Sequence, residues 1–227
     1  MNDQEKRTLD MLKNVRDFDA AHEGLFPAGT LTRELFDTIA GVISDLEKYA
    51  AAESAGRGAA RQGTISKAMA KAAIIEDLGI LRRTARSMSR LVPGIEEKFP
   101  VPHKQDGQEL VSIARAALAA AEPLKAEFLR REVSERVFQD LALNITAYEA
   151  ALTDQYTGKE ESVTAAASID KAIERGMDAL TELDPVVRNK LQNNHPLFTA
   201  WLGAKHIERA SRRSKGAKPS EPETPNT

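Results

Sequence analysis

The sequence predicts an all-α fold, and three observations carry that prediction. Alanine, the strongest helix former, is used heavily while aromatic residues make up only 5% of the chain. Apolar residues recur at helical spacing along most of the 227 residues. Glycine and proline punctuate those stripes at intervals that suit helical hairpins. The expected architecture is an antiparallel bundle of six main helices plus a shorter seventh. A single four-helix bundle with decorations is the runner-up.

The first helix is expected from near Asp3 to His22, with Asn2 or Asp3 capping its free N–H groups. Leu9, Leu12, Val15 and Phe18 form its apolar stripe, and Gly24 marks its end. After the linker Phe26-Pro27-Ala28-Gly29, a second helix opens near Thr32 and carries Leu35, Ile39, Val42, Leu46 and Tyr49. It is expected to stop at an elbow, Ser54 to Thr64, because three glycines there each lower helix propensity by up to about 1 kcal/mol. Thr64 would cap a third helix with Ile65, Met69, Ala72, Ile75, Leu78, Leu81, Ala85 and Met88 on its packed face. Pro93-Gly94 ends it, and Phe99-Pro100-Val101-Pro102 separates two halves.

Asp106-Gly107-Gln108-Glu109 has the spacing of a capping box. The fourth helix follows through Leu110, Ile113, Ala117 and Phe128, kinked rather than broken at Pro123. The fifth runs from Ser134 through Phe138, Leu141, Ile145 and Tyr148 to a second, fainter elbow at Tyr156-Thr157-Gly158-Lys159. The sixth carries Val163, Ile169, Ile173, Met177, Leu180 and Leu183, and Asp184-Pro185 reads as a cap opening a new turn. Leu197, Trp201 and Ala204 begin a last helix, which Trp201 anchors.

Shifting the chain against itself by about 102 positions aligns the two elbows. Phe26 meets Phe128, Phe36 meets Phe138, Ile43 meets Ile145 and Gly56 meets Gly158. Leu31-Thr32 with Phe36 and Val133-Ser134 with Phe138 share the spacing of a hydrophobic staple around an N-cap. The expected organisation is a three-helix half over 1–102, a duplicate with the terminal helix over 103–210, and a disordered basic and polar tail over 211–227.

Composition removes many functions. The chain has no cysteine, so disulfides, thiolate metal sites and cysteine nucleophiles are excluded. A formal net charge of −2 does not suit a general polyanion binder. No apolar window approaches a transmembrane length, and no secretory signal is read at the start, so a cytoplasmic protein is expected.

The motifs weighed for chemistry are weak. Gly58-Ala59-Ala60-Arg61-Gln62-Gly63-Thr64 imitates a phosphate-binding loop, yet it lacks the lysine and the preceding strand. His22, His103, His195 and His206 are never three or four apart, so no local metal motif exists and no cofactor is expected. Arg57 and Arg61, Lys67 and Lys71, then Arg82, Arg86 and Arg90 each recur at four-residue spacing. Such spacing aligns charges on one helix face, which makes these seven the candidate anion or partner-binding residues, unless carboxylates of neighbouring helices take them up. Arg209, Arg212, Arg213, Lys215 and Lys218 make the tail a second place for salt-dependent anion contacts.

The opening Met1 to Leu12, the stretch Ser54 to Thr64 and Ile173-Glu174-Arg175-Gly176-Met177 resemble a group of uncharacterised all-helical bacterial proteins. That resemblance implies a helical fold and brings no activity, cofactor or functional residue. The expected function is a non-enzymatic interaction or scaffold protein whose partner is a protein, itself or another, with no membrane. The alternative is a module for an anionic ligand or nucleic acid, using the basic face or the tail. An enzyme or metal site hidden inside the bundle is the third candidate.

Overall fold

The computed structural model describes residues 1–22, 24–90, 92–102 and 104–207. His103, Arg209 and the expected tail therefore lie outside the described residues. The chain is helical, with no strand among the described residues. Its helices are α1 (Asp3–Ala21), α2 (Leu31–Met88), α3 (Gly107–Ala121), the short α4 (Lys125–Leu129), α5 (Glu135–Leu191) and α6 (His195–Ala204). Single 3-10 turns lie at Ile95–Lys98 and Glu122–Leu124.

Contacts divide the chain into two compact units, one of Met1 with Asp45–Ala172, the other of Asn2–Ser44 with the chain from Ile173 onward. Each unit takes residues from both halves of the sequence, because α2 and α5 contribute to both.

The second of these units is organised by Trp201. It is fully buried, with its ring 5.3 Å from Phe18 and edge-on to Phe36 at 6.2 Å. Its indole N–H donates to Asp184 at 2.8 Å, which satisfies the one polar group of a buried tryptophan. Leu12, Val15, Ile39 and Val42 complete the core at full burial. Gly176 fits close against Leu12 and Val42, since a Cβ there would lie 3.0 Å from each side chain. Helix α1 begins with a complete capping box: Asn2 accepts from the Gln4 and Glu5 N–H groups at 2.9 Å, and Glu5 accepts from the Asn2 N–H at 2.8 Å.

The core of the other unit joins α2, α3, α4 and α5 around Phe99, Phe128 and Phe138. Phe128 meets Phe99 at 5.5 Å and Phe138 at 5.8 Å, both edge-on. Ala114, Ala117 and Ala121 of α3 are fully buried, so that helix packs through small side chains.

Several local expectations are corrected. Neither glycine elbow exists: residues 54–64 and 156–159 are helical interior, and the pairs of helices expected on either side are single helices. Thr64 is not a cap; its hydroxyl donates back to the Ala60 carbonyl at 2.8 Å. At the start of α2 the capping hydroxyl is Thr30, which accepts from the Arg33 N–H at 3.3 Å, not Thr32. Pro123 interrupts the helix instead of kinking it: α3 ends at Ala121 and α4 starts after a 3-10 turn, because proline lacks the N–H the next turn needs. Pro185 does the reverse. It lies inside α5, which continues to Leu191 with Leu183, Val187 and Leu191 buried on one face. The capping box at Asp106 does not form, since that carboxylate is engaged elsewhere.

Candidate interaction surface

Helices α2 and α5 come into backbone contact at Gly56 and Gly158. A Cβ on Gly56 would lie 2.8 Å from the Gly158 carbonyl oxygen and 2.8 Å from the Ser162 nitrogen. A Cβ on Gly158 would lie 2.8 Å from the Gly56 oxygen and 2.6 Å from the Ala60 nitrogen. Gly63 is equally tight, 2.6 Å from the Gln155 nitrogen on the same test. These distances are to backbone, so only glycine fits. That is why a glycine-rich stretch is helical here: without these side chains the two backbones touch, and the contact offsets the poor propensity.

The pattern behind the contact has a seven-residue period. Gly56, Gly63 and Ala70 on α2, and Ala151, Gly158, Ala165 and Ala172 on α5, are all buried. Large residues therefore have no place at these positions. Ile65, Met69, Tyr156 and Val163 are 55%, 70%, 69% and 70% exposed. At 100° per residue each lies about 140° to 180° round its helix from the contact glycine. The expectation that Ile65, Met69 and Val163 belong to the core is corrected: the packed face is the one with small residues. A surface hollow of about 650 Å³ follows the same helices, between Tyr49, Ala52 and Ala55 on α2 and Thr164, Ala165 and Ser168 on α5.

The seven basic candidates do not form one free stripe. Arg57 pairs with the buried Glu53. Lys67 reaches Asp106 at 2.7 Å, and Lys71 reaches it at 3.6 Å and the Gln105 carbonyl at 2.9 Å. Arg86 pairs with Glu96 at 3.0 Å. Arg61 and Arg90 are exposed. Arg82 is half-buried, and its Nε–H is buried without a hydrogen-bond partner. Four of the seven are thus held by carboxylates.

Asp106 is the hub that sequence reading missed. It accepts from Lys67 and from the hydroxyl of the fully buried Tyr148, and Tyr148 in turn accepts from the Gly107 N–H at 2.9 Å. The Lys67 and Tyr148 bonds hold the Asp106 carboxyl well below the usual range. Burial, then the bond to Asp106, pushes the Tyr148 hydroxyl up to about 12. The cluster ties the segment before α3 to both long helices; its charges are mutually satisfied. In the other unit Asp184 does similar work. Burial pushes its carboxyl up, but bonds from Lys205, Trp201 and Arg188 together outweigh that and leave it lowered.

Among the described residues no group of three or more His, Asp or Glu side chains is placed to hold a metal ion. None of their helices is long and apolar enough to cross a membrane. Comparison with family models, curated proteins and solved structures gave no match.

Proposed function

We propose that this chain is a non-enzymatic helical interaction protein, and that the middle of α2 and α5 is where its partner binds. The observation that carries the reading is the inversion at the Gly56–Gly158 contact: small residues inside, and Ile65, Met69, Tyr156 and Val163 outside. Large apolar side chains grouped on solvent-facing helix surfaces mark interaction sites more often than isolated ones do. A cytoplasmic setting goes with this reading, and a cysteine-free chain is compatible with a reducing compartment. The test is capture by the immobilised chain, compared with an Ile65→Lys, Tyr156→Lys variant of unchanged helicity. Capture of the same set by both would sink the reading.

The second reading is a site for an anionic ligand or nucleic acid. It is favoured by the unpartnered Nε–H of Arg82 and the exposed Arg61 and Arg90. Replacing Arg82, Arg86 and Arg90 by Gln should lower the salt needed to elute the protein from heparin; unchanged elution removes it.

We also infer that the two halves descend from one duplicated unit. Support comes from positions about 102 apart. Leu31–Met88 corresponds to Glu135–Leu191 within two residues at either end, and α1 corresponds to α3. The rings of Phe26 and Phe36 lie 5.1 Å apart, and those of their counterparts Phe128 and Phe138 lie 5.8 Å apart. The counterpart of the buried Trp201 is the buried Phe99. Gly56 and Gly158, which touch, are counterparts of one another.

A further inference from the structure

The outward faces of α2 and α5 are different surfaces. Gly56 and Gly158 face each other, and the exposed residues lie on the far side of each helix from that contact. One face carries Arg61, Ile65 and Met69; the other carries Tyr156, Glu160 and Val163. Arg61 and Glu160 are both exposed and of opposite charge.

We propose that these two faces bind one another between copies, so that the α2 face of one chain packs against the α5 face of the next. This rests on the interaction-protein reading and names the partner as a second copy. The register supports it. If the two helices lie antiparallel with Arg61 opposite Glu160, then residue 65 falls opposite 156 and residue 58 opposite 163. Ile65 therefore meets Tyr156, and Val163 meets Gly58. Unlike Gly56 and Gly63, Gly58 has no internal reason to be glycine, because nothing lies within 4 Å of a Cβ built on it. It leaves a recess on the α2 face at the position that Val163 would fill. A glycine in an exposed helix interior is unfavourable relative to alanine, and a neighbouring chain gives it a use.

Two different faces on one chain make a head-to-tail contact. Such contacts do not stop at a dimer unless the rotation closes a ring. The full chain should therefore grow past dimer as concentration rises in sedimentation equilibrium. Ile65→Lys removes the α2 face and Tyr156→Lys removes the α5 face; each alone should raise the concentration needed for assembly by about tenfold or more. Mixed together, the two variants still hold one intact face each, and they should form a one-to-one pair that grows no further. Arg61→Glu and Glu160→Arg should each weaken assembly and restore it when combined in one chain. These two charge variants change exposed positions only, so they serve if a lysine variant loses helicity. A wild-type chain that stays monomeric overturns the proposal, as does assembly that both lysine variants leave intact. In either case the broader reading falls only if the capture experiment also shows no dependence on the two faces.

Discussion

The Gly158→Ala substitution tests the reasoning about the helix contact most sharply, because propensity and packing predict opposite signs. In an isolated helix the change gains up to about 1 kcal/mol. Here the new Cβ would sit 2.6 Å from the Ala60 nitrogen, 2.8 Å from the Gly56 oxygen and 3.0 Å from the Ala59 Cβ. Ordinary van der Waals contact begins at 3.4 Å, so α2 and α5 must part locally by about 0.6 to 0.8 Å. Two of the three atoms are backbone and cannot rotate away. Overpacking of this kind costs about 1–3 kcal/mol, and immobile neighbours place it at the upper end. Net of propensity, a loss of about 2 kcal/mol is expected. Gly41→Ala is the control: it lies in α2 with nothing within 4 Å, and it should gain up to about 1 kcal/mol. Urea unfolding followed by circular dichroism reads both, and the two variants should move the midpoint in opposite directions. If Gly158→Ala is as stable as Gly41→Ala, the backbone contact is not what selects glycine, and the argument fails.

Three further outcomes follow from the charged groups and from Pro185. Asp106→Asn should cost about 1 kcal/mol at pH 7, since the carboxylate is half-exposed and partly screened. Because the folded pKa lies below the unfolded one, that difference is present above about pH 4 and closes as pH falls further, while Tyr148→Phe keeps its cost at low pH by stranding the Gly107 N–H; pH-dependent unfolding checks both. Asp77 has the opposite sign: burial raises its carboxyl despite the 2.9 Å bond from Asn144, so its ionisation weakens the fold as pH rises. Asp77→Asn should match or exceed wild type by up to about 1 kcal/mol at pH 7, with the gap vanishing in acid, read on the same unfolding curves. Pro185→Ala restores an N–H inside α5 and should raise the melting temperature, with a gain of up to about 3 kcal/mol.

Helix content, the aromatic anchors and most buried stripes were legible in the sequence, because apolar period and alanine content report them directly. Leu12, Val15, Ile39, Val42, Leu78 and Leu81 are core residues as their spacing implies. The middle of the chain is not legible from its large apolar residues, because small ones mark the packed face there. Gly56, Gly63 and Ala70 repeat every seven residues, and so do Ala151, Gly158, Ala165 and Ala172. Read as a seam, that pattern turns glycine from a helix breaker into the condition for two helices to touch. Pro123 and Pro185 share one ambiguity: a covered apolar stripe continues past both, through Leu124 and Phe128 at the first and Val187 and Leu191 at the second, so local pattern does not tell which proline breaks its helix. The partners of Asp106 were beyond reach, since Lys67, Tyr148 and Asp106 are distant in sequence and meet only through the fold.

The seam also explains why the surface follows from the core. A helix has a fixed number of positions per turn, and giving the inner ones to Gly and Ala moves Ile65, Met69, Tyr156 and Val163 to outward places. Those outward residues bury little in the chain itself, so folding gives them little reason to be apolar. Ile65→Lys and Tyr156→Lys should therefore leave the unfolding midpoint almost unmoved while Gly158→Ala shifts it. Stability and association would then divide between the two sides of the same helices. Equal destabilisation by all three would mean that the outward residues support the fold after all, and that the surface has no separate role.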